Sequence, residues 1–460
     1  MLNSLSTLLM LVNVPLVAAP PESTDLLPAL QHAEWRVRDE ILNSPFLNAS
    51  QAKDKLQLNL EVTTELKNGL WSSTCTVRDL RGEERSVTLA CCINSDFYGW
   101  TWWDDPERNR IIHDSNVYSN LVDTYYGYVY QSSQFPFAVI SDEHTGLCLG
   151  VPLQPPRPVR LLYDADGREM RAEFDFGLSP IPEHFPSCAD AKVIAFTVPA
   201  PWAFRQALAR YYQMNSGFER RAPLGGTFLT KVPLDRIERP EDFGFAWHDF
   251  DAANVAMADA DEPLGILSFI YREPQTNWRY LRGDAPRSYD TFLAQLKEDA
   301  EKGDPRARAT LISAVERQDG RLDLYLDPIA WTKAAPFGCN ADPEVRVENQ
   351  ADWKNKGVYE LEDLGKTLGW DGQASKMDGV FYDSMEGWTN ILNYRRDHWR
   401  TTRYPLTFDR SNNNRVCLSN LWGNYAFAKA LAEQLRAHNQ YMMGNGAFHF
   451  LWMFAPFVDI

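Results

Sequence analysis

The sequence predicts a multi-domain chain, an antiparallel β-sandwich followed by a (β/α)8-type TIM barrel. Two changes of texture and one strand end predict it. Between residues 55 and 200, short β-rich runs alternate with turn signals, as in antiparallel sandwiches. From residue 243 onward, apolar runs that end in polar residues alternate with amphipathic stretches, as parallel βα units do. Within that second region the run Gly379 to Tyr382 ends in Asp383. Side chains alternate along a strand, so Gly379, Phe381 and Asp383 share a face. If the first two point into a barrel, Asp383 stands at its C-terminal mouth, where barrel enzymes keep catalytic groups.

Taken in order, residues 1–54 form an N-terminal segment. Its apolar stretch, 5–19, ends in Val17-Ala18-Ala19 before Pro20-Pro21. It reads as a signal peptide, which favours a secreted or periplasmic protein, or equally as a buried strand over 8–12. No Lys or Arg precedes Arg36, and Asn13 and Pro15 interrupt the run. Residues 26–54 carry Leu27, Leu30, Ala33 and Val37 at helical spacing and predict a helix. In the sandwich region, 55–200, strands are predicted at 56–62, 86–91, 126–131, 137–140 and 147–151. Turn signals such as Lys67-Asn68-Gly69 and Asp164-Ala165-Asp166-Gly167 separate them.

A helix over 201–214, with Phe204, Leu208 and Tyr211 on one side, opens a linker that runs to residue 240. In 241–460, strands are predicted at 243–248, 265–271, 322–326, 380–382, 416–418, 441–443 and 457–458. Helices are predicted at 290–302, 305–317 and 425–438, the second with Pro305 at its first position. Roughly six or seven strands precede the end of the chain and eight close a barrel. The expectation is therefore a barrel left incomplete at the C-terminus.

A net charge of -16 argues against nucleic acid and anionic membrane surfaces as partners. Beyond the N-terminal stretch, no run is apolar enough to span a bilayer. The seven cysteines are scattered, with no C-x-x-C and no zinc-like spacing. They fit free buried thiols, or one or two disulfides with leftovers. There is no Walker A loop, no G-x-G-x-x-G, no G-x-S-x-G and no H-E-x-x-H. No cofactor and no metal are expected.

What accumulates instead is acid and amide at predicted strand ends, His248, Asp249, Glu273, Asp327, Asp383, Glu386, Asn445 and Asp459. Trp247, Trp278 and Trp388 stand close by in sequence. Paired carboxylates supply a nucleophile or base and a proton donor around an oxocarbenium-like transition state. Aromatic faces stack on sugars. This points to hydrolysis of a glycosidic bond in an oligo- or polysaccharide. Glycan binding without catalysis on the same scaffold is the alternative. Singly, each residue has a plainer reading. Asp383 can cap the next helix, Asp327 can open a turn at Pro328, and Asn445 between two glycines can adopt left-handed geometry.

Four segments carry a resemblance. They are Phe135-Pro136-Phe137-Ala138-Val139-Ile140-Ser141-Asp142, Ala172-Glu173-Phe174-Asp175-Phe176-Gly177-Leu178-Ser179, Arg210-Tyr211-Tyr212 and Asp378-Gly379-Val380-Phe381-Tyr382-Asp383-Ser384. With them the chain resembles a family of glycoside-hydrolase-like proteins and, more distantly, the retaining α-galactosidase clan. Those proteins place an N-terminal β-supersandwich before a TIM barrel. The resemblance implies that Asp383, on the fourth barrel strand, matches the clan's nucleophile. The clan's acid/base is a carboxylate at a later strand end. Here the sixth predicted strand ends in Asn445, a departure that leaves Glu386, Asp409 or Asp459 as possible proton donors. Trp247, His248, Asp249, Asp327, Trp388, Asn445 and Asp459 are the expected sugar-binding residues.

Overall fold

The computed structural model describes residues 30–113, 115–123, 131–215, 218, 221–223, 225–326, 332–348, 350–387 and 392–460. The candidate leader or strand at 1–19, most of the predicted strand at 126–131, Asp327 and Trp388 lie outside the described residues.

The N-terminal half is built from two antiparallel sheets. One has six strands, and its centre is Arg85–Asn94 paired between Glu34–Asp39 and Glu169–Leu178. The other has seven, with Leu70–Asp79, Cys188–Pro199, Thr145–Gly150 and Phe137–Ser141 side by side. Period-2 alternation explains the core between them. Val87, Leu89, Cys91 and Ile93 face inward from the central strand and meet Val77, Ile140 and Leu149 from the second sheet. The helix expected over 26–54 is corrected. Glu34–Asp39 is a strand whose alternate residues are buried, and among the described residues of this range helix is confined to 30–31 and Ala49–Leu56. The spacing of Ala33 and Val37 fits both periods, and pairing with the central strand decides for the sheet. All seven cysteines are buried and unpaired with one another.

The outer face of the seven-stranded sheet is covered by the helix Ala203–Met214. Its Phe204, Ala207 and Tyr211 pack on Phe137, Phe196 and Val198. The outer face of the six-stranded sheet is polar and joins the C-terminal half. There Arg410 pairs with Asp175 and Glu40, and Gly177 N donates to Leu406 O at 2.9 Å. Burial pushes the Asp175 carboxyl up, but Arg160 and Arg410 outweigh it and hold Asp175 well below the usual carboxylate range.

The C-terminal half centres on five parallel strands in chain order: Thr227–Thr230, Phe245–Phe250, Leu267–Arg272, Gly379–Tyr382 and Tyr441–Gly444. Helices Lys356–Thr367 and Leu421–Ala437 cover one face, where Ile270, Val380, Tyr382 and Met442 meet Leu364, Phe427 and Leu431. Asn355 caps the first of these helices through Val358 N. Gly379 allows the fourth and fifth strands to close, since a Cβ there would lie 1.9 Å from Tyr441 O. Beside the fifth strand, Ile460 N donates to Met442 O at 3.2 Å and Ile460 O accepts from Gly444 N at 2.9 Å, a parallel-ladder pattern.

These strands form an open sheet, and the described residues do not close an eight-stranded barrel. Three predicted barrel strands belong elsewhere. Arg415–Ser419 lies in an antiparallel three-stranded sheet with Leu392–Asn393 and Thr407–Asp409. Residues 322–326 make only isolated bridges, and 457–458 are not a strand. Short apolar runs do not reveal the direction of their partners. The strand Thr227–Thr230, half of whose residues are Thr, escaped the same reading.

Gly177 sits where the halves meet, and a Cβ there would lie 2.3 Å from Thr407 O. Gly177→Ala is expected to destabilise the chain by about 1–3 kcal/mol, read as an earlier urea midpoint. An unchanged midpoint would mean that the junction yields freely.

Candidate functional site

Alternation sorts the parallel sheet into two faces. Phe269, Phe381 and Met443 point away from the helices and form one cluster with Leu267, Tyr271 and Tyr441. Asp383 and Asn445, two residues beyond Phe381 and Met443, share their parity and continue this face past the C-terminal strand ends.

Asp383 is held by three donors. Tyr271 Oη donates to Oδ2 at 2.8 Å, Asn445 Nδ2 donates to Oδ1 at 2.7 Å, and the Ser384 amide donates to Oδ1 at 2.8 Å. The backbone beneath is fixed too, because Gln275 Nε2 donates to the carbonyls of Asp383 and Ser384 at 2.9 and 2.8 Å. Ser384 has φ +55°, in the left-handed region that non-glycine residues seldom adopt. Burial, and then Glu273 and Asp383, push the Tyr271 phenol far above its usual range, so it stays a donor. The Lys231 ammonium sits 4.5 Å from the centre of the Tyr271 ring and pairs with Asp251.

A cleft of 760 Å³ opens beside Tyr271, within the range of ligand sites. The antiparallel strand pair Thr276–Tyr280 and Ala334–Gly338 walls it. Glu273, at its edge, accepts from Thr276 Oγ1 at 2.8 Å and from Trp278 Nε1 at 3.2 Å. Aromatic faces are supplied by Trp278, Tyr280 and Tyr359.

One layer below Tyr271, Asp249 pairs with Phe269 in register. It is fully buried, and neither carboxylate oxygen meets hydrogen-bond geometry with a partner among the described residues. Burial pushes its carboxyl up, opposed in part by the Thr230 hydroxyl and the Lys231 ammonium.

The structure brings together Asp383 and Asn445 of the residues expected from sequence, with Asp249 two layers beneath them. It separates the others. His248 has the opposite parity. It is fully buried under the helices, with Nδ1 3.0 Å from Asp261 Oδ1, and so is corrected from a sugar ligand to a core histidine. Trp247 pairs with Leu267, which places it about 20 Å down the strand direction from Asp383.

Glu386 is buried and accepts from the amides of His449 and Phe450 at 2.8 and 2.6 Å, so its carboxylate pins the loop after the fifth strand. Burial raises its pKa, and the two amides oppose this. Asp409 lies on the antiparallel sheet at the sandwich junction, bonded to Tyr394 and Ser411. Asp459 accepts from the Met442 amide at 2.9 Å and pairs with Arg221, within the sheet rather than at its mouth. Sequence reasoning missed Tyr271, Lys231 and Gln275. The signal for Tyr271 was its parity with Phe269, the same alternation that marked Asp383.

No family model matches this sequence, and no curated protein matches it. Among solved structures, the chain is similar to the GH36 α-galactosidase AgaA from Geobacillus stearothermophilus in complex with stachyose. Identity is 12% and the TM-score 0.46, over 87% of this chain and 56% of that one. It is also similar to the α-N-acetylgalactosaminidase NagBb from Bifidobacterium bifidum in complex with GalNAc. There identity is 10% and the TM-score 0.46, over 93% of this chain and 73% of that one. The chain thus spans just over half the length of the α-galactosidase, 56%.

Asp249 yields a pH prediction. A carboxyl whose folded pKa is raised binds more protons folded than unfolded, so its contribution to stability falls as pH rises. Asp249→Asn removes that penalty. The variant should melt above the wild type at pH 7, and the gain should vanish below about pH 4. An equal gain at both pH values would overturn the buried-charge account.

Proposed function

We propose that this chain carries a glycosidase-type site that cleaves glycosidic bonds of an oligo- or polysaccharide, with Asp383 as the nucleophile. The proposal extends to the scaffold, in which residues 55–200 with the added strand Glu34–Asp39 are the sandwich, and residues 241–460 with the added strand Thr227–Thr230 hold strands of a (β/α)8 barrel. One observation carries the reading. The Asp383 carboxylate, at the end of the fourth parallel strand, is oriented by three donors beside an aromatic-lined cleft.

Such a carboxylate suits an oxocarbenium-like transition state. Positive charge grows at the anomeric carbon, and a fixed negative group costs no reorganisation when it is needed. Oδ1 accepts two hydrogen bonds and Oδ2 one. Oδ2 therefore keeps the freer lone pair and is the oxygen assigned to attack. Tyr271, held protonated, steadies that oxygen before attack and again as the carboxylate is released. Asn445 keeps Oδ1 in place, and Trp278 and Tyr280 offer faces on which sugar rings stack.

Glycan binding without turnover is the second reading. It is favoured by the amide Asn445 at the end of the fifth strand, a group that cannot exchange a proton at neutral pH.

The test is a screen of aryl glycosides in both anomers, followed by Asp383→Asn. Turnover should fall by about 10⁴-fold while the fold survives, and Asn445→Ala should cost about 10²-fold. A variant of Asp383 that keeps most activity would sink the assignment. Bound oligosaccharide with no turnover by the wild type would select the second reading.

A further inference from the structure

Retaining hydrolysis needs a second carboxylate about 5–5.5 Å from the nucleophile. Glu386, Asp409 and Asp459 are committed elsewhere, as described above. The register of the third and fourth parallel strands identifies a different residue. Arg272 pairs with Tyr382, and the ladder continues because the Asp383 amide donates to Arg272 O at 3.0 Å. Glu273 therefore stands opposite Asp383 on the neighbouring strand. It shares the parity of Tyr271, whose hydroxyl reaches Asp383 on the face away from the helices. Adjacent strands lie about 4.8 Å apart, so the two side chains begin at about the separation of a retaining pair. The Tyr271 phenol lies within electrostatic reach of both carboxylates.

Resting on the glycosidase reading, we propose that Glu273 is the proton donor and base that partners Asp383. Trp278 Nε1 and Thr276 Oγ1 both address Glu273 Oε2, and both Tyr271 and Glu273 line the cleft.

In the first step, Asp383 Oδ2 bonds to the anomeric carbon and the glycosidic C–O bond breaks. Its electron pair goes to the leaving oxygen, which takes the proton from the Glu273 carboxyl. In the second step, the Glu273 carboxylate takes a proton from water, whose oxygen bonds to the anomeric carbon as the ester to Asp383 breaks. One water is consumed, both carboxyls return to their starting states, and the configuration is retained.

The experiment uses the full chain and aryl glycosides of graded leaving-group acidity. Glu273→Ala should lose about 10³-fold in kcat/KM on phenyl glycosides but less than about 10-fold on dinitrophenyl glycosides, which need no protonation. The alkaline limb of the pH profile should vanish. Azide should restore turnover and give a glycosyl azide of retained configuration. Glu273→Gln keeps an acceptor for Trp278 and Thr276, so it separates proton donation from support of the strand Thr276–Tyr280, and should show the same dependence on leaving group.

Equal loss on every leaving group, with an unchanged pH profile, would overturn the assignment and leave Glu273 a brace for the strand Thr276–Tyr280. Asp383→Ala run in parallel separates the two claims. If it is inactive and azide rescues it with inverted product while Glu273→Ala shows no such dependence, only the Glu273 assignment falls. If Asp383→Ala keeps its activity, or the wild type turns nothing over, the glycosidase reading falls and takes Glu273 with it.

Discussion

The last four of the five parallel strands pair in one continuous register, and Tyr271, Asp383 and Asn445 inherit their reach from it. A parallel sheet with helices on one face has a strict parity. Residues of one parity meet the helices Lys356–Thr367 and Leu421–Ala437, while those of the other line the opposite face. Asp383, Tyr271 and Asn445 converge because their parity and their height agree. His248 and Asp249 are chain neighbours with opposite fates for the same reason.

The mouth is held by contacts among loops rather than by the strands alone. The turn after Asp383 is zipped to the loop after the fifth strand. Met385 N donates to Asn445 O and Glu386 N to Gly446 O, and the Glu386 carboxylate gathers the amides of His449 and Phe450. A buried carboxylate with two amide donors is stabilised where it stands, and removing it would leave those amides unpaired. The strained Ser384 backbone sits within this zip. The arrangement is that of a site whose geometry is set before any ligand arrives.

The charges that line the helix side of the cleft belong to the same scheme. Arg272, with parity opposite to Tyr271, reaches Glu360 and Asp363 on the covering helix, and Glu360 is also paired with Lys356. Broken singly, such a buried cluster leaves an uncompensated charge. It therefore ties the third strand to its helix and steadies the backbone from which Tyr271 and Glu273 project. Elsewhere, Arg410 reaches Asp175 on the sandwich and ties the short antiparallel sheet to it.

The sequence by itself determined the two textures, the strand Gly379–Tyr382 and the position of Asp383 at its end, because apolar run length and period-2 alternation are local properties. Asn445 was legible for the same reason, at the end of Tyr441–Gly444. Tertiary structure alone decided the rest. Which strands are parallel, and therefore that Thr407–Asp409 and Arg415–Ser419 join an antiparallel sheet, depends on partners far along the chain. So does the fate of each carboxylate, since Glu386, Asp409 and Asp459 differ in the amides, hydroxyls and guanidinium that meet them rather than in their local sequence. Glu273 followed a strand in the sequence like several other acids, and only the register of two strands more than a hundred residues apart set it opposite Asp383.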